Sequence, residues 1–310
     1  MERHAILNLM AVTVTVVFLL FSQSSISGNE PNAALTALTA NEPNENEFFY
    51  PSSKDRVERL GKTIYENTDA NIDLTNYEAN LRKSLANGTI GRAWQNLDPN
   101  LTAEECRKLT TAKLAQVCFS TSLLTRHLLA SSNRPVYVFA MLKIRYPCYG
   151  ELFERDDLWK GVLDAYSLYA AGLETKGDPN KVIDSIMGLN ELPNVFQYNK
   201  MREQLNGKEI QFVRAQLEAL KKIRSFIKDD KDDSTVSSTP FFSVTAPMSL
   251  VNHSLVFMEK VSKDKSKPAI DNICKLRLRK TPKMKEVKNY IDISIVEIER
   301  FLDSYMVERK

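Results

Sequence analysis

The sequence predicts an all-α protein, an irregular multi-helix bundle behind a disordered N-terminal arm. Three observations carry that expectation. Only 10 glycines punctuate 310 residues, too few for a turn-rich β design. Capping residues recur ahead of apolar stripes with a period near 3.6 residues. The connections between those stripes are short, as in helical bundles.

The first element is not part of the bundle. An apolar run from Ala5 to Phe21 follows a short n-region with Arg3 and His4 and gives way to Ser22-Gln23-Ser24-Ser25. This is the layout of a secretory signal peptide, assigned to residues 1–27 with cleavage after Ser27 or Gly28. An uncleaved anchor is the alternative, since about 17 apolar residues is near the lower limit for crossing ~30 Å of hydrocarbon. The small polar residues beyond Phe21 favour cleavage, which leaves no stable membrane insertion. The chain is therefore expected to be secreted and extracellular.

Residues 28–51 repeat Asn-Glu-Pro and run through Ala-Leu-Thr without core periodicity, the composition of a disordered arm. A helical domain is expected over 52–228. Ser52 or Ser53 caps a helix with Val57, Leu60 and Ile64 on one face. Tyr77, Leu81 and Leu85 define the next, stopped at Asn87-Gly88. Thr102-Ala103-Glu104-Glu105 is a capping box, and the helix it opens carries Cys106, Leu109, Leu114, Val117 and Cys118 as far as Leu128. Val136 to Ile144 suits strand or helix, and Pro135 at a first-turn position tips it to helix. Asp156 or Asp157 caps the stripe Trp159, Val162, Leu163, Tyr166 and Tyr169. Asp178-Pro179 opens the next helix, and Pro193 to Leu205 another with Phe196, Met201 and Leu205. A longer one carries Ile210 to Ile227. Residues 229–247, with an Asp/Lys cluster and a Ser/Thr/Pro run, read as a linker or long loop. Residues 248–310 read as a basic helical C-terminal subregion ending in the stripe Val287 to Tyr305.

Secretion changes the meaning of the cysteines and sequons. Cys106, Cys118, Cys148 and Cys274 are an even count for an oxidising compartment, so two disulfides are expected. At least one is expected to join the Cys106 to Cys148 region, internally or to Cys274. Cys106 and Cys118 on one helix would stand roughly 18 Å apart, which disfavours that pairing. Asn87, Asn100 and Asn252 each begin an Asn-x-Ser/Thr triplet and are candidate glycosylation sites.

Signatures of chemistry are absent: no nucleophile elbow, no zinc-protease helix, no phosphate loop and no dinucleotide turn. No metal site is expected from cysteines without a CxxC pair and two mature histidines, and no cofactor is implied. The net charge is only +3, so no global field for nucleic acid follows. Locally the balance differs: between Lys260 and Lys288 stand eleven Lys/Arg against Asp264, Asp271 and Glu286. Within that span Lys275, Arg277, Arg279 and Lys280 form a basic segment suited to an acidic protein or surface. The expected function is a secreted, non-enzymatic interaction protein, such as a host-directed effector of salivary or parasite secretions. A carrier whose pocket is lined by the aromatics from Tyr146 to Tyr169 is the alternative, and a secreted enzyme of unknown type the weaker one.

Overall fold

Capping residues start many of the helices where the sequence places them. The computed structural model describes residues 48–66, 74–88, 95–130, 135–175, 178–227, 242–279 and 282–307. In the first helix, α1 (Lys54–Gly61), Ser53 accepts a hydrogen bond from the Arg56 amide, and a π-turn extends it over Lys62–Glu66. Helix α2 (Thr75–Ala86) ends at Asn87, and Gly88 takes a positive φ of 65°. That left-handed turn favours glycine for want of a Cβ.

The capping box at Thr102 is present, but its helix is short. Instead of one helix to Leu128 there are three: α3 (Ala103–Lys108), α4 (Thr111–Phe119) and α5 (Leu123–Ala130). The break comes at Leu109, whose backbone is extended, and Thr110 then caps α4 by accepting from the Lys113 amide. Val136 to Ile144 resolves as helix, α6 (Pro135–Arg145), with most of its side chains buried. A segment that is apolar on every side has no polar face to turn outward and settles inside the core.

Helices α7 (Pro147–Phe153), α8 (Leu158–Gly172), α9 (Pro179–Glu191), α10 (Asn199–Leu205) and α11 (Glu209–Phe226) follow, with a 3-10 turn at Leu192–Gln197. Asp178 caps α9 through the Asn180 and Lys181 amides, as expected. Asp157 precedes α8 without such a bond and accepts instead from the Thr111 hydroxyl, tying α8 to α4. Helices α8 and α9 approach closely. A Cβ added to Gly188 would lie 2.5 Å from the ring of Tyr169, which is itself buried. Gly188→Ala is therefore expected to destabilise the protein in urea unfolding by about 1–2 kcal/mol, because overpacking outweighs the gain in helix propensity.

The largest correction concerns the C-terminal third. Residues 228–241 lie outside the described residues, but the expected linker does not reach 247, because α12 spans Phe242–Val261. Pro247 sits inside it. Losing one backbone hydrogen bond to proline costs about 3 kcal/mol, while Val244, Leu250, Val251, Leu255, Val256, Phe257 and Met258 are all buried. At roughly 1.5–3 kcal/mol for each such side chain, burial wins. Helix α12 packs against α11, α9, α1 and the following α13 (Lys263–Ile273), so it lies within the body, not in an appended subregion. The last helix, α14 (Met284–Val307), covers α13 and α11, and one apolar core runs from Val57 to Leu302.

The arm ends earlier than expected. Residues 1–47, on which the expected signal peptide and most of the expected arm fall, lie outside the described residues, but 48–51 are part of the fold. Phe48–Phe49 forms strand β1, paired antiparallel with β2 (Leu278–Arg279) in the register Phe48↔Arg279 and Phe49↔Leu278. The Pro51 carbonyl accepts from the Arg56 guanidinium at 2.7 Å and from the Asn252 amide at 3.3 Å. Buried Ser52 and Tyr290 share a hydrogen bond of 2.9 Å. These contacts strap the start of the body to its last two helical layers.

Candidate functional site

The basic segment becomes a short ribbon with two unlike sides. Leu278 is fully buried and Leu276 half-buried, while Lys275, Arg277 and Arg279 are exposed. Alternation of side chains along extended chain puts Arg277 and Arg279 on one side, while Lys275 stands in the turn that leads into it. The Arg277 guanidinium lies 5.2 Å from the Tyr50 ring centroid, a cation–π contact that fixes its direction while leaving the charge facing water. Arg279 lies 3.2 Å from the Glu286 carboxylate, which also accepts from the Lys283 amide at 2.9 Å. Lys280 lies outside the described residues.

The charge excess counted along the sequence is larger than the field this surface presents. Asp271 holds both Lys54, at 2.5 Å, and Lys267, at 3.1 Å, and those bonds pull its carboxyl down to about 2. Lys265 donates to the Ser304 carbonyl, Lys260 stands over the Tyr65 ring, and Lys288 is buried. What faces outward as a group is Lys275, Arg277 and the partly neutralised Arg279.

One disulfide is formed rather than two. Cys106 on α3 and Cys148 on α7 are bonded, with Cα atoms 5.4 Å apart. Cys118 and Cys274 are free. Cys118 points into the core of α4, where burial pushes its thiol well up. Cys274 follows α13 half-buried, and burial pushes its thiol up to about 11.

The sequons separate in the same way. Asn87 and Asn100 are exposed. Asn252 is not a surface position: it lies 6 % exposed on α12, its amide is spent on Pro51, and Ser254 of the same triplet donates to buried Gln216 at 2.8 Å. The stripe of Leu250, Val251, Leu255 and Val256 around it carries the whole triplet inward.

The aromatics from Tyr146 to Tyr169 pack as core. Tyr146, Tyr149, Phe153 and Tyr166 are fully buried and several meet edge to face, Phe139 and Phe153 at 5.6 Å among them. Two of their hydroxyls are engaged in the core: Tyr149 donates to the Cys118 carbonyl at 2.8 Å, and Gln216 donates to Tyr166 at 3.1 Å. Two surface depressions, of about 350 Å³ beside Leu74, Glu78 and Arg82 and about 300 Å³ beside Tyr65, Asn199 and Arg202, are lined by none of them. Neither depression gathers a buried acid and base.

Three buried titratable groups stand apart from any cleft. Burial drives Glu191 up to about 7, although Asn190 and Asn194 both donate to it. Burial drives His127 down to about 4, with Arg145 adding to the effect, and His127 bonds Tyr146 at 3.1 Å. His253 is likewise pushed down to about 4 by burial, opposed by the bond from its Nδ1 to the Ser249 carbonyl at 2.7 Å. A depressed histidine holds fewer protons folded than unfolded. The stability it contributes is present above 6.5 and is lost as pH falls through 4. The stability of the native protein minus that of His253→Gln should therefore fall across this window by up to about 1.4 kcal/mol per pH unit. Parallel curves in denaturant titrations at each pH would count against it.

Among the described residues no group of three His, Cys, Asp or Glu side chains gathers as a metal site, and no helix is long and apolar enough to cross a membrane. In comparisons with known proteins, no family model, no curated protein and no solved structure matches the chain.

Proposed function

We propose that this chain is a secreted, non-enzymatic interaction protein that engages an acidic protein surface through the exposed side of β2. One observation carries the reading: Lys275, Arg277 and Arg279 are exposed in succession on the segment whose Leu278 is anchored in the core. A rigid helical body holds that side in place, so little conformational entropy is lost on binding. A clustered positive field speeds encounter with an acidic partner by tenfold or more. The Cys106–Cys148 bond fits an oxidising compartment, in keeping with the signal peptide read at 1–27. On this reading glycans belong on exposed Asn87 and Asn100, and a glycan on Asn252 is incompatible with the folded core. The host-directed setting of salivary or parasite secretions is the context this proposal adopts.

Neutralising Lys275, Arg277, Arg279 and Lys280 together to glutamine tests it. Capture of an acidic partner should weaken about tenfold and its salt dependence should flatten, with helicity unchanged. Undiminished capture by that variant would sink the β2 mechanism, and turnover of a substrate by the purified protein would sink the class.

A further inference from the structure

The pairing of β1 with β2 sorts their side chains onto two faces. Residues directly opposite in an antiparallel pair share a face, and neighbours along a strand alternate between faces. Phe49↔Leu278 is the inner pair: Leu278 is buried and Phe49 packs against the core. Phe48↔Arg279 is therefore an outer pair. Continuing the register by one residue sets Tyr50 opposite Arg277, and the guanidinium 5.2 Å from the Tyr50 ring agrees with it. The outer face of the ribbon thus sets aromatic rings from β1 beside arginines from β2. Phe48 is half-buried there, and Tyr50, 42 % exposed, is a large ring left open to water.

Resting on the function proposed above, we infer that this outer face is the docking surface and that it selects a mixed partner, an acidic protein segment with an aromatic side chain among its carboxylates. Charge complementarity accounts for the acidic part. Arg277 and Arg279 each present a planar fork of donors that grips a carboxylate in two places, and Lys275 adds a cation in the turn beside them. Glu286 takes part of the Arg279 charge at 3.2 Å, which leaves Arg277 and Lys275 as the stronger attractors. The exposure of Tyr50 accounts for the aromatic part. Carboxylates alone would cover the arginines and leave this ring in water. A partner ring laid against Tyr50 removes both rings from water and also meets the guanidinium of Arg277. Tyrosine and arginine are the side chains in which binding energy concentrates at protein interfaces.

Both halves of the face are fixed in advance. Arg277 already lies on the Tyr50 ring, so little of its side-chain freedom is lost when a partner arrives. The backbone just after Tyr50 is tied to the body: the Pro51 carbonyl accepts from Arg56 at 2.7 Å and from Asn252 at 3.3 Å, and Ser52 bonds Tyr290 at 2.9 Å. The rings and the arginines come from distant parts of the chain. Recognition therefore depends on the closed fold, and a free peptide carrying only the basic segment lacks the aromatic half of the surface.

The test measures anisotropy of two fluorescent peptides with the full chain at physiological salt, one of alternating glutamate and serine, the other with half of its serines replaced by tyrosine. The tyrosine peptide is expected to bind about fivefold tighter. That advantage should vanish in Tyr50→Ser and persist in Tyr50→Phe, which keeps the ring. Both variants should keep the native urea midpoint, since Tyr50 is exposed. Should Tyr50→Ser shift the midpoint, Tyr50→Gln decides in its place. Equal affinities of the two peptides, or an advantage that survives loss of the ring, would overturn this inference alone, provided that changing Lys275, Arg277 and Arg279 to glutamine abolishes binding of the serine peptide. If that neutralisation changes nothing, or the native chain binds neither peptide, the acidic-partner reading itself falls and takes this inference with it.

Discussion

Replacing Cys148 by serine lowers the unfolding free energy by roughly 4 kcal/mol. The bond to Cys106 closes a loop with a sequence separation of 42 residues, and in the chain-entropy model a loop of that length contributes about 4 kcal/mol by restricting the unfolded ensemble. Both half-cystines are buried, at 0 % and 1 % exposure, so no solvent relaxation at the site softens the loss. The loop it closes contains α4, α5 and α6, whose Leu114, Phe119, Leu123, Phe139 and Leu142 belong to the core. Guanidinium unfolding with and without reductant measures the effect directly. Reduction of the native chain should match the Cys148→Ser variant, because Cys118 and Cys274 are thiols already. Equal midpoints in oxidised and reduced protein would refute both the pairing and the magnitude.

How far the fold was legible follows from the range of each signal. Caps act within four residues, and Ser53, Thr102 and Asp178 start their helices as the sequence indicates. The break after Lys108 was also local, for Thr110 is a capping residue followed by Leu114, Val117 and Cys118 on a stripe. The capping box eight residues earlier masked it, since two starts so close imply a six-residue helix. That break is what allows Cys106 to turn away from Cys118 toward Cys148. Helix α12 was obscured by Pro247, whose local cost is plain in sequence, whereas the burial that offsets it depends on α9 and α11.

The candidate site was legible in its residues and not in its shape. Alternation in Lys275-Leu276-Arg277-Leu278-Arg279 marks a strand with one charged side, but a strand needs a partner, and Phe48–Phe49 comes from the far end of the chain. Nothing in the local pattern links the two. The counter-charges were invisible for the same reason: Lys54 reaches Asp271 across the fold. Asn252 failed as a surface site because the triplet rule ignores the apolar stripe on which it rides.

Phe257→Ala should cost about 4 kcal/mol, as much as losing the Cys106–Cys148 bond. Phe257 on α12, Phe196 on the 3-10 turn and Phe212 on α11 are each fully buried. Their rings meet edge to face at 4.8 Å for Phe196–Phe257 and 4.9 Å for Phe196–Phe212, with Phe212–Phe257 at 6.1 Å. Truncating a buried phenylalanine costs about 3–5 kcal/mol through lost transfer energy and the cavity left behind, and edge-to-face pairs add about 0.5–1.5 kcal/mol beyond burial. The site has little freedom to collapse, since three different elements enclose it and the His253 ring stands 6.0 Å from Phe196. Phe257→Leu retains most of the volume and should cost less than half as much. Urea unfolding of the three proteins measures both losses, and a loss of no more than about 2 kcal/mol for Phe257→Ala would count against the estimate. Because α12 also carries Asn252 to the Pro51 carbonyl, the alanine variant should loosen the strap at residues 48–52, seen as faster hydrogen exchange at the Phe49 and Arg279 amides.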